Sequence, residues 1–278
     1  MMKGYILTLL VAILTTVNGV CQNEDYAVLI KQGMKALEQD SIEKAENLLM
    51  KAIDIKPADK SSAVLYQYLG QLRARQNRHA EAMEAFNSGL ELMPESESLL
   101  MDRISLNIQT GNEARAMNDL NELLTRNPDH AEGLFFRAFL YTEQHLYNKA
   151  RIDYERLVVM QPRNRDARLG LALLCDKDKR PKEAMEHMDV LVRYWPEDAT
   201  VYAIRGGMYQ KRRQYEQALA DLNLAIELEP GNADFYISRA LLYKDFKKKA
   251  LATADFRKAI ELGASAEECA AMMGEAKR

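Results

Sequence analysis

ATVYAIRGGMYQKRRQYEQALADLNLAIELEPGN, residues 199–232, runs without a gap into ADFYISRALLYKDFKKKALATADFRKAIELGASA, residues 233–266. Laid over each other, the two segments agree in kind: Tyr202 on Tyr236, Arg205 on Arg239, Tyr209 on Tyr243, Ala218 on Ala252, Asp221 on Asp255, Leu222 on Phe256 and Ala225 on Ala259. Their apolar residues recur three and four apart, the spacing of a helix face and not of a strand.

The same register extends towards the N-terminus. Pro57, Pro94, Pro128, Pro162, Pro196 and Pro230 are separated by 37 and then four times by 34 residues, and Lys60-Ser61-Ser62 accounts for the longer first gap. The frame places repeats at 26–59, 63–96, 97–130, 131–164, 165–198, 199–232 and 233–266. The twentieth place is alanine in all seven, from Ala45 and Ala82 to Ala252, and the eighth is small in six of seven, with Ile104 the departure. Small residues there let two helices approach closely. Proline stops the second helix of each repeat, and Asn164, Asp198 and Asn232 are placed to cap the next one.

One pairing follows from the frame alone. The seventh place is arginine in four repeats (Arg103, Arg137, Arg205, Arg239), and sixteen residues later the same four carry Asp119, Asp153, Asp221 and Asp255. The other three repeats lack both, with Gln32/Leu48, Leu69/Ala85 and Leu171/His187. Both or neither in seven cases predicts partly buried Arg–Asp pairs between the two helices of a hairpin. A periodic pair of this kind belongs to the scaffold and not to a catalytic site.

Other chemistry is not encoded. His79, His130, His145 and His187 stand at unrelated places in four repeats, without the spacing of metal ligands. No nucleophile elbow, phosphate loop or dinucleotide fingerprint occurs. The reading is therefore of a protein that is not an enzyme and needs no cofactor or metal. Cys175 and Cys269 form no framework and are expected in the core. The net charge of −3 gives no general pull towards nucleic acid.

Residues 1–21 differ from the rest. Met1-Met2-Lys3 precedes the uncharged run Gly4 to Val17, then Asn18-Gly19-Val20-Cys21, and the chain turns polar at Gln22. A charged start, a short apolar run and small residues read as a signal peptide, too short for a membrane span. Export to a periplasm or to the outside is the expectation. Cys21 also offers a lipoprotein reading, but Val20 and Asn18 fit that pattern poorly.

The 34-residue period, the alanine at place twenty and the closing proline resemble the tetratricopeptide repeat family over residues 26–266. The third repeat departs most, with Ile104 and Asn107 where a small residue and an aromatic are usual. The resemblance implies an all-α, right-handed superhelical solenoid of helix-turn-helix hairpins occupying 22–266, with 267–278 as a capping helix. It also implies a concave groove lined by the first helix of each hairpin. There the candidate partner-binding residues are Tyr68, Phe135, Phe136, Phe139, Leu169, Leu173 and Ile204. A carboxylate clamp is not supported, because places five and nine hold Ile30 and Met34, or Gln67 and Gln71. The turns of the last three repeats are basic, and Lys179, Arg180, Arg212, Arg213, Lys247, Lys248 and Lys249 form a candidate edge for an anionic partner or a membrane surface. The function expected is a protein-interaction scaffold of the periplasm or envelope. A carrier of a small ligand or glycan on the phenylalanine-lined groove and an accessory subunit of an enzyme are the alternatives.

Overall fold

A 34-residue segment with two apolar faces and a breaker at its end folds as two antiparallel helices. The computed structural model describes residues 22–274. Among them are fifteen helices: α1 Gln22–Glu38, α2 Ile42–Ile55, α3 Lys60–Arg75, α4 His79–Leu92, α5 Glu97–Gln109, α6 Glu113–Arg126, α7 Ala131–Glu143, α8 Tyr147–Met160, α9 Arg165–Lys177, α10 Pro181–Tyr194, α11 Ala199–Lys211, α12 Tyr215–Leu228, α13 Ala233–Asp245, α14 Lys249–Glu261 and α15 Ala266–Met273. The fold is an all-α repeat solenoid. The signal-peptide reading of 1–21 and the last residues of the expected cap lie outside the described residues. The chain divides into two compact units, 1–137 and 138–278, with the division inside α7.

Small side chains set the closeness of each helix pair. The alanines at place twenty are essentially buried throughout, from Ala45 to Ala252. A β-carbon on Gly70 would lie 2.3 Å from the ring of Phe86, so this glycine is what admits the ring. In the first unit Tyr26, Ile30, Leu49, Leu65 and Leu69 form one core and Phe86, Leu99, Leu100 and Leu106 the next. In the second, Tyr236, Phe256 and Cys269 pack together, so α15 covers the apolar edge of α14. Burial of each of these large side chains contributes roughly 1.5–3 kcal/mol.

Helix starts and turns are specified locally. Asn164 Oδ1 accepts from Ala167 N at 2.9 Å, Asp198 Oδ1 from Val201 N at 3.2 Å and Asn232 Oδ1 from Asp234 N at 3.1 Å. The turn between paired helices places one residue in the left-handed region in every hairpin: Asp40, Asn77, Gly111, His145, Lys179, Arg213 and Lys247. The next amide then bonds back across the turn, as from Arg180 N to Cys175 O at 2.8 Å and Lys248 N to Tyr243 O at 2.8 Å. These residues span acid, amide, imidazole and cation, so the geometry leaves no single signature in the sequence.

Candidate partner-binding faces

The arginine at place seven joins three helices. Arg103 in α5 donates from Nε and Nη2 to both carboxylate oxygens of Asp119 in α6, each at 2.8 Å, and from Nη1 to Asn87 Oδ1 in α4 at 2.9 Å. Arg205 does the same to Asp221 at 2.8 and 2.9 Å and to Asp189 at 3.0 Å. Arg239 repeats it with Asp255 at 2.8 Å twice and Asn223 at 2.7 Å. Bidentate geometry of this kind is the strong form of the Arg–carboxylate bond. The bonded carboxylates of Asp221 and Asp255 push the guanidiniums of Arg205 and Arg239 above their ordinary range. In the first unit Arg137 Nη1 reaches Asn121 Oδ1 at 3.3 Å, and in the second Asp153 is buried in α8. The backward reach to Asn87, Asn121, Asp189 and Asn223 adds a partner to the expected Arg–Asp pair. An Asn or Asp sixteen residues before each arginine is its sequence signal, and it ties each hairpin to the one before.

The first helices present different faces in the two units. In the first, Gln67 and Gln71 of α3 both donate to Asp102 Oδ2 of α5, at 2.5 and 2.8 Å. Burial lifts the Asp102 carboxyl against those bonds. Tyr68 is half-buried beside them, and burial raises its phenol. Phe135 and Phe136 are half-buried, with ring centroids 5.8 Å apart in an edge-to-face arrangement. In the second unit, place nine of three first helices carries an exposed apolar side chain: Phe139, Leu173 and Leu241, at 40%, 40% and 36%. Leu169 and Ile204 are half-buried. The polar places of these helices pair with one another, Lys177 with Glu143 at 2.6 Å, Lys211 with Asp176 at 3.0 Å and Gln210 with Asp245 at 2.7 Å.

The basic edge is partly consumed by such pairing. Arg180 bonds Asp178 at 3.0 Å and Glu183 at 3.5 Å, and Arg212 bonds Asp176 at 2.9 Å. Lys248 Nζ lies 5.0 Å from the centroid of the Phe246 ring. Lys179, Arg213 and Lys247 are exposed at the left-handed turn position. Lys247 and Lys249 line a cavity of about 200 Å³ with Lys244, Thr253, Phe256 and Met273. Cys175 and Cys269 are buried free thiols, and desolvation raises both above the ordinary thiol range. No group of three or more His, Cys, Asp or Glu able to hold a metal ion occurs among the described residues.

Stacked helical hairpins with a fixed 34-residue register define a helical-repeat protein. Tetratricopeptide repeat models match residues 140–199, 199–232 and 233–262. Residues 140–262 are tetratricopeptide repeats. A tetratricopeptide repeat protein of Parabacteroides merdae superposes with a TM-score of 0.78 at 27% identity, covering 90% of this chain and 98% of that one. The Cut9–Hcn1 assembly, at 14% identity and a TM-score of 0.61 over 96% of this chain and 58% of that one, shares the fold. Among curated relatives, human protein O-mannosyl-transferase TMTC3 is 25% identical over 66% of this chain, and human mitochondrial import receptor subunit TOM70 is 27% identical over 49%. The matches span only 20% and 23% of those two proteins.

Proposed function

We propose that this chain is a non-catalytic protein-interaction scaffold, exported to a periplasm or cell envelope, that takes a partner chain across the first-helix faces of its repeats. The observation that carries the reading is the row Phe139, Leu173 and Leu241, exposed at one register place in the second unit. Apolar side chains of this size, repeated on a surface, gain from being covered. The charged places beside them are paired among themselves, so they fix the face and leave the apolar row as the part that gains from contact. Kinship with an import receptor subunit agrees with a binding role. Export rests on the pattern of residues 1–21.

A photo-crosslinking amino acid at Leu173, introduced in the cell of origin, tests the partner reading. One dominant protein adduct, lost in Leu241→Asp, is expected; an absence of protein adducts overturns it. N-terminal sequencing tests export separately. A mature start after Gly19 or Cys21 is expected, and an intact Met1 in the cytoplasmic fraction sinks that half of the proposal.

A further inference from the structure

Hairpin α5–α6 lacks two rings that later hairpins possess. The Arg205 guanidinium lies 5.7 and 5.8 Å from the ring centroids of Tyr202 and Tyr209, and that of Arg239 lies 5.7 and 5.9 Å from those of Tyr236 and Tyr243. At the same two register places α5 carries Leu100 and Asn107. Arg103 is nonetheless held by Asp119 and the Asn87 amide, as Arg239 is held by Asp255 and the Asn223 amide. Its guanidinium is fixed in place without aromatic cover from those two positions.

Two cavities flank it, one of about 370 Å³ past Leu90 and Leu100, the other of about 280 Å³ on the Asn107 side. The second is walled by Met83, Asn87, Arg115, Asn118 and Asp119 besides Arg103 and Asn107. Asn107 is only 2% exposed, yet its Oδ1 has no hydrogen-bond partner among the described residues. A buried amide oxygen without a donor is costly, and it marks a place where a donor is wanted.

We propose that the Asn107 cavity binds a planar aromatic ring with a hydrogen-bond donor at its edge, a phenol above all. The ring takes the position beside the arginine that the chain's own tyrosines occupy in α11–α12 and α13–α14. There it stacks against the Arg103 guanidinium, a cation–π contact. Its hydroxyl donates to Asn107 Oδ1 and accepts from Arg115 or Asn118 across the cavity. Met83 gives a thioether contact of the kind aromatic rings favour. The volume suits one ring on a short stem. The site stands on residues of the first unit and does not depend on the apolar row proposed to bind a partner.

The test titrates the full chain with N-acetyl-tyrosinamide, p-cresol and N-acetyl-phenylalaninamide, following the Asn107 side-chain amide and the Arg103 Nε–H by NMR. Saturable shifts are expected at both groups, with tyrosinamide binding about tenfold tighter than phenylalaninamide, the worth of one satisfied hydrogen bond. Tyrosinamide tighter than p-cresol assigns the ring to a tyrosine of a partner chain; equal binding assigns it to a free phenolic molecule. Asn107→Tyr supplies the ring from within and is expected to abolish the titration without lowering the melting temperature. Asn107→Leu keeps the space partly filled, removes the acceptor and is expected to level the two amides. The proposal is overturned by no saturable shift, by equal binding of the two amides to the wild type, or by an unchanged titration in both variants.

Discussion

Hairpins α5–α6 and α11–α12 hold the same three-helix arginine staple and differ in its surroundings. Arg205 sits between two tyrosines with its side chain 15% exposed; Arg103 sits between cavities, 22% exposed. The three bonds have the same lengths to within 0.1 Å in both, although the backward bond ends on the Asn87 amide in one and on the Asp189 carboxylate in the other. The staple's geometry is therefore set by the helix register, and the rings set how dry it is. A charge left unpaired in a dry place costs more than one that water can reach. Arg239 also sits between two tyrosines and, without Asp255, keeps only the Asn223 amide, as Arg103 without Asp119 keeps only Asn87. Asp255→Ala should accordingly destabilise by about 3 kcal/mol, and Asp119→Ala by only about 1–2 kcal/mol. Urea unfolding gives the size, and hydrogen exchange in α14 or α6 shows where the loss falls. Equal losses would mean that the rings do not exclude water.

The rings themselves are the next lever. Tyr209→Asn copies α5 into α11 and should cost about 2 kcal/mol through lost apolar burial and the cation–π contact. If the loss is nil, Tyr209 is packing against nothing that matters and the contrast between the hairpins dissolves.

The period, the helix pairs and the Arg–Asp bonds of Arg103, Arg205 and Arg239 were legible, because each is a residue type recurring at a fixed place. Asn87, Asn121, Asp189 and Asn223 were equally periodic, but an Asn and an Asp on a helix surface read as ordinary solvated residues until the arginine was seen to reach back to them. The pairing of Arg212 with Asp176 was hidden by distance, since its partner lies one repeat away. The cavity was half visible. Asn107 stood out as a missing aromatic, but sequence cannot tell whether a missing ring is filled by neighbours or left open.

Hairpin α9–α10 answers the same register differently, and this gives a pH test. Its staple places hold Leu171, buried, and His187, half-buried. Burial first, and then the charge of Arg168, hold the His187 imidazole below its ordinary 6.5, with Arg151 adding to them and Glu186 and Glu183 opposing. The unfolded chain thus takes up a proton at a higher pH than the folded one. The stability gained from keeping His187 neutral is present above pH 6.5 and is lost as pH falls through the lower folded value. Melting temperatures measured between pH 7.5 and 5 should fall less in His187→Leu than in the wild type. Parallel curves would show that the folded protein accommodates the imidazolium, and that α9–α10 is not the neutral counterpart of the stapled hairpins.

The smallest expected effect lies in the turns, where α5–α6 again differs from its neighbours. Gly111 has φ +74°, and Lys179 holds the equivalent place at φ +57°. An L-residue with a β-carbon pays roughly 1 kcal/mol in this region, and glycine returns part of that through its freer unfolded chain. Lys179→Gly should then stabilise by about 0.5 kcal/mol, and Gly111→Lys should destabilise by about 0.5 kcal/mol. No β-carbon contact opposes the second change, since the space within 4 Å of where a β-carbon on Gly111 would stand is open. Its cost would come from backbone strain alone, which makes the pair a clean measurement. Opposite signs of similar size would show that the turn geometry is imposed by the helix pair and merely tolerated by the six side chains that occupy it; no effect at either site would mean that the turn relaxes to suit its residue.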